Sequence, residues 1–226
     1  MFEQYATAFW IVLFAGLVLY GLWRSILAPL QVRRFYSDNG FHVPGEVYLG
    51  QSPYGDSLLL AKLQPGPVYA GEYRGHRIEQ FAASMKLAGS SMFNHAKRRK
   101  EHHAWTITVL HSELPLPAFC ARPTKARDSM EYLLNTDNVM FPDDELFANK
   151  IHVLADDHPQ LIAAFTLPVR EWLDGIDTVS LEAVGEMLVL KTPRQPHDTG
   201  SKLRSHLDAA LMIHKAITSA VQNPQT

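Results

Sequence analysis

The pattern of apolar and polar positions changes abruptly near the N-terminus. Between Glu3 and Arg24 no residue carries a formal charge, and Gln4 through Trp23 form a run of 20 residues centred on AFWIVLFAGLVLYGLW. At 1.5 Å per residue such a run covers roughly 30 Å, the hydrocarbon thickness of a bilayer. It predicts a single transmembrane helix. Trp10, Tyr20 and Trp23 lie toward its ends, where amphipathic rings favour the headgroup level. A cleaved signal peptide is disfavoured, because the short stretch before the apolar run holds Glu3 and neither Lys nor Arg. The flanks set an orientation: Glu3 precedes the run, whereas Arg24, Arg33 and Arg34 follow it. Positive residues stay in the cytoplasm, so the expected topology is N-terminus out with the remaining chain inside.

Beyond the run, RRFYSDNG (Arg33 to Gly40) predicts a last helical turn closed by Gly40. Phe41 to Gly66 is rich in Pro and Gly and reads as a connector with weak strands. Val68 to Lys86 predicts two strands broken near Gly75. In AWTITVLHSEL, Trp105, Ile107 and Val109 alternate with Thr106 and Thr108, the period of a half-buried strand. LPLPAFCARP predicts an edge strand, since Pro115 and Pro117 cannot donate to a central ladder. Ile151 to Ala155 predicts a further short strand. After it, Asp156 and Asp157 suit a helix N-cap ahead of Pro159. Leu161, Phe165, Val169 and Trp172 share a helical face, with a break or restart at Pro168. VSLEAVGEMLVLK predicts a hairpin turning near Gly185. Ser201 to Val221 predicts the clearest helix, with a stripe of Leu203, Leu207, Leu211, His214, Ile217 and Val221.

Strands followed by helices indicate an α+β domain with a mostly antiparallel sheet, of which a pleckstrin-like sheet closed by a C-terminal helix is one candidate. The expected organisation is an anchor and juxtamembrane helix over 1–34, a connector over 35–66 and an α+β domain over 67–222. Two blocks carry a resemblance: Leu116, Pro117, Phe119, Arg122 and Pro123 in the first, then Phe147, Ile151, Val153, Asp157, Leu167 and Pro168 in the second. Over the C-terminal half the chain resembles a family of membrane-anchored bacterial domains to which no function is assigned. The resemblance implies a bacterial inner-membrane protein and brings no catalytic residue with it.

Composition narrows the chemistry. Apolar residues make up 46% and charged residues 19%, which excludes collagen, coiled coil and a largely disordered chain. One cysteine excludes a disulfide framework and a multi-thiolate metal site within the chain. The 11 histidines are scattered, and adjacent His102 and His103 would point to opposite faces of a strand. Asp156, Asp157 and His158 offer ligand types where helix capping already explains the aspartates. No phosphate loop, dinucleotide fingerprint, nucleophile elbow or His-Glu-x-x-His occurs. No catalytic, cofactor or metal residue is assigned, and no cofactor is expected.

Charge is segregated. Arg74 to Lys100 holds seven Lys or Arg against one Glu, a net of +6; Asp128 to Glu186 holds thirteen acidic residues against two basic, a net of −11. Within the basic part, Lys97, Arg98, Arg99 and Lys100 form a candidate contact for anionic headgroups. The overall charge of −2 gives nucleic acid no whole-chain signal. The expected protein is a single-pass inner-membrane protein whose cytosolic domain, a scaffold or accessory unit without catalysis, binds a protein partner or itself. The alternatives are a membrane-tethered hydrolase-like enzyme centred on Cys120 or the histidines, and a lipid or small-ligand sensor.

Overall fold

The structure is a computed structural model, and it describes residues 2–23, 28–42, 54–61, 63–85, 104–124, 139, 141–155, 158–175, 179–193 and 200–222. The uncharged run forms α1 (Phe2–Leu22). Its side chains are described from Phe9 onward. Among the described residues no helix is long and apolar enough to cross a membrane. A second helix, α2 (Ala28–Asp38), ends as the sequence predicts. Phe41 N–H bonds Tyr36 O at 2.9 Å and Gly40 N–H bonds Ser37 O at 3.1 Å, with Gly40 at φ 77°. This is a Schellman close, which places the φ > 0 residue at a glycine. The hydrophobic position after it, Phe41, is buried beside Tyr36 and Phe35.

The domain is built on seven antiparallel strands: β1 (Leu63–Tyr73), β2 (His76–Met85), β3 (Ala104–His111), β4 (Phe119–Pro123), β5 (Ile151–Ala155), β6 (Ser180–Val184) and β7 (Met187–Pro193), in the order β1-β2-β3-β7-β6-β4-β5. With its helices this is an α+β fold. Two tight turns fix the register. Arg74 and Gly75 have φ 51° and 82°, the conformation that matches a two-residue hairpin to strand twist. Gly185, at φ 58°, opens the β6–β7 turn. The prolines at 65 and 67 fall at a register shift on β1, an outer strand, where a missing N–H costs no ladder bond.

Two expectations need correction. β4 is not an edge strand: it pairs with β6 on one side and β5 on the other. Pro115 and Pro117 lie ahead of the ladder, so their missing donors do not confine it to an edge. β3 is not half-buried, because both of its faces are covered. Ile107 and Val109 face one cluster, while Thr106 and Thr108 are buried on the other side. The threonine face stays polar because it is satisfied: Gln80 Nε2 donates to Thr108 Oγ1 at 2.8 Å, and Tyr36 O–H donates to Gln80 Oε1 at 2.9 Å.

Each face of the sheet therefore has its own cover. On the helix face lie Ile78, Leu110, Ala121, Val153, Leu181 and Leu188, under α2, α4 (His158–Ala164), α5 (Leu167–Asp174) and α6 (Gly200–Gln222). The short α3 (Glu145–Lys150) leads into β5. α5 restarts as predicted, with Thr166 at its N-cap and Pro168 in its first turn. Of the predicted stripe of α6, Leu203, Leu207, His214 and Ile217 are buried, Leu207 completely, while Leu211 and Val221 are partly buried against the same core. On the opposite face Phe81, Ile107, Val109, Met187, Val189 and Cys120 pack beneath Tyr54, Leu59 and Leu60. These last three belong to residues 54–61, a short strap that starts in a 3-10 turn, Tyr54–Asp56.

Candidate functional site

Among the described residues two exposed apolar surfaces stand out. The first is α1. Every large apolar side chain described on it, from Phe9 to Leu22, is between 42% and 73% exposed. Trp10 stands edge-on to Phe9, and Tyr20 stacks on Trp23 at 6.5 Å, so these predicted anchor aromatics pair along the helix. Arg33 and Arg34 are exposed on α2, and Arg34 lies 3.6 Å from Asp38 in an exposed pair. Arg24 and the four basic residues Lys97, Arg98, Arg99 and Lys100 lie outside the described residues.

The second surface is a groove of about 510 Å³ where the α4–α5 corner meets the C-terminal half of α6. Ala163, Pro168, Met212, Lys215, Ala216 and Ala220 line it. Ile162 and Leu167, beside these lining residues in sequence, are 41% and 57% exposed. Alanines on both walls keep the trough open. Nearby, Arg170 of α5 is buried and donates to Asp143 Oδ2 at 2.8 Å, and this guanidinium holds the Asp143 carboxyl below its ordinary range. The acidic turn at 143–144 thus serves as the partner of a buried arginine as well as the N-cap of α3, where Asp144 accepts from Phe147 N–H.

Sequence reasoning missed two buried carboxylates on the strap face. Glu79 of β2 is 3% exposed and accepts from Tyr54 O–H, from Arg77 Nη2 at 3.1 Å and pairs with His111 Nε2 at 3.2 Å. Burial alone would raise its pKa, but the hydrogen bonds from His111 and Tyr54, with the charges around them, outweigh that and lower it. The Tyr54 hydroxyl is pushed up, by burial first and then by Glu79. Glu182 of β6, also 3% exposed, accepts from Ser57 Oγ at 2.6 Å and from the N–H groups of Leu58 and Leu59 at 2.8 and 3.0 Å. Its carboxyl oxygens therefore cap the N–H groups at the start of the strap's turn. The signal available in the sequence was a lone Glu at an inward position of each strand, in RIEQF and SLEAV.

Cys120 lies on the same face, next to Glu182 across the β4–β6 ladder. Its thiol is pushed up to about 11, chiefly by burial, and Arg122 Nε lies 3.1 Å from its sulfur. At neutral pH it is a protonated, buried thiol, the opposite of an activated nucleophile. The described histidines do not gather at one place, although His76 and His214 meet. His111 serves Glu79, His206 Nδ1 stands 3.5 Å from Thr192, and His42 bridges to Ala70 through its backbone. His76 and His214 are 5.1 Å apart between ring centres, and His214 Nε2 lies 3.0 Å from Ser112 Oγ. Burial, with His76 adding to it, lowers the His214 pKa. His95, His102, His103 and His197 lie outside the described residues. Among the described residues no group of three or more potential ligands could hold a metal ion.

In architecture the chain is similar to the mycobacterial trehalose monomycolate transport factor A, TtfA, whose crystal structure matches at a TM-score of 0.56 and 9% sequence identity, over 84% of this chain and 94% of that one. At that identity the likeness concerns the fold alone. No family model matches the chain, and no curated protein does. The comparison therefore supplies a bacterial protein of the same architecture, without a family assignment.

Proposed function

We propose that this chain is a single-pass inner-membrane protein whose α+β domain is a non-catalytic accessory unit, held in the cytoplasm beside the membrane and docking a protein partner in the α4–α5/α6 groove. The carrying observation is the exposure of α1. A helix apolar on all sides belongs inside a protein core or a bilayer. The described part of α1 is exposed throughout and is absent from both core clusters of the domain. No described helix is by itself long and apolar enough to cross, so the anchor rests on the sequence, whose uncharged run of 20 residues matches the hydrocarbon thickness of a bilayer. Arg33 and Arg34 on the C-terminal side favour a cytoplasmic domain.

A docking role fits the second surface, a trough walled by small side chains with Ile162 and Leu167 exposed beside it. Cys120, buried and protonated, gives the enzyme alternative no nucleophile. Two arms test the proposal. A reporter active only outside the cytoplasm, fused after Thr226, should be silent, and strong activity would reverse the topology. A photo-crosslinking residue at Ala216 should give a discrete adduct in cells that Ala163→Arg abolishes; no adduct in any growth state would remove the docking claim.

A further inference from the structure

On the strap face one row of cross-strand neighbours runs through the sheet: Glu79, Val109, Val189, Glu182 and Cys120. Opposed residues in such a row sit about 5 Å apart, so the carboxylates stand along one line with apolar residues between them and the thiol beyond. The strap over this row is attached in an unusual way. Its described backbone hydrogen bonds are local: Ser57 N–H to Tyr54 O, Ala61 N–H to Ser57 O and Leu63 N–H to Leu60 O. Its described polar links to the sheet all end on the two carboxylates, Tyr54 on Glu79 and Ser57, Leu58 and Leu59 on Glu182. Ser57 Oγ also accepts from Leu60 N–H at 3.3 Å, so the serine both caps the strap's own turn and fastens it.

We infer that residues 54–61 are a lid that opens as a unit, latched by Glu79 and Glu182, and that its opening uncovers the apolar strap face and the Cys120 thiol while the ladder and the helix face stay folded. A segment whose backbone hydrogen bonds are local can open apart from the ladder, whereas a ladder strand opens with the whole domain. The buried carboxylates make the fastening conditional. Each glutamate is the acceptor on which its strap donors end, and displacing or replacing it leaves those donors without their acceptor. Tyr54, Leu59 and Leu60 supply the apolar part of the closure. The inference does not depend on the membrane reading.

The single cysteine of the chain makes the lid measurable, because every adduct reports on Cys120. The test is the rate of N-ethylmaleimide labelling of the full chain at fixed neutral pH, read by mass, in wild type, Glu182→Gln, Ser57→Ala and Leu207→Ala. Global stability of each is measured in parallel by urea unfolding. Glu182→Gln is expected to label at least tenfold faster than wild type, at urea concentrations well below its global transition. Ser57→Ala, which keeps the Glu182 charge, should accelerate labelling less but clearly, which excludes a change in thiol ionisation as the cause. Leu207→Ala thins the opposite face and should lower global stability without changing the labelling rate. Labelling accelerated equally by Leu207→Ala would show that the thiol is reached by global unfolding, and the lid would be refuted. An unchanged rate in Ser57→Ala would refute the latch even if Glu182→Gln failed to fold.

Discussion

Glu79 is the residue whose chemistry is most exposed to pH. Its folded pKa lies below the ordinary value of 4.5, so its stabilisation is fully present above that value. It is lost as pH falls through the lower folded value, because the protonated carboxyl no longer accepts from Tyr54, Arg77 and His111 together. Replacing a buried hydrogen-bonded carboxylate with an amide leaves donors mismatched, at a cost of about 1–3 kcal/mol. Glu79→Gln should therefore lower urea stability at pH 7 by that amount and flatten the loss of stability as pH falls below 4.5. Equal acid slopes in the two proteins would move the acid sensitivity to other carboxylates. Glu79 and Glu182 were illegible as a pair in the sequence, since nothing in local pattern says which inward charge finds donors more than twenty residues away, or more than a hundred.

The elements themselves were largely legible, because period and turn chemistry are local. The β1–β2 break at Gly75, the β6–β7 turn at Gly185, the restart near Pro168 and the stripe of α6 all follow from spacing. Neighbour relations were not legible. β4 reads as an edge from its flanking prolines, yet sits between β6 and β5. The threonine side of β3 reads as solvated, yet lies buried where Gln80 and Tyr36 satisfy it. The strap reads as a connector because its hold on the sheet is made by side chains. Two substitutions test the packing. Leu207 is completely buried, and Leu207→Asp would bury an unpaired charge there; cooperative thermal unfolding should disappear, whereas a wild-type melt would make α6 peripheral. Gly71→Ala would bring its methyl to 3.0 Å from the Cα and Cγ of Phe41. The melt should fall by several degrees, as overpacking costs typically 1–3 kcal/mol, and an unchanged melt would show that the 40–42 segment yields freely.

For the whole molecule, several of the charges counted along the chain are paired or buried among the described residues. Arg77 is spent on Glu79, Arg170 and Glu182 are buried, and Asp143 and Asp144 face Arg170. The feature that sets the molecule's behaviour is instead the contrast between a domain with two well-covered sheet faces and a helix, α1, that contributes to neither core cluster. The proposed role stands or falls with that helix. Arginine at the centre of a spanning helix costs about 2.5–3.5 kcal/mol on insertion scales, so Leu13→Arg with Leu17→Arg should abolish integration by charge alone. The direct measurement is alkaline carbonate extraction of membranes from cells expressing the full chain, beside this double variant. The wild-type chain should remain in the membrane pellet and the variant should pass to the supernatant. Wild-type protein released to the supernatant would contradict the anchor, and with it the placement of the domain at the membrane.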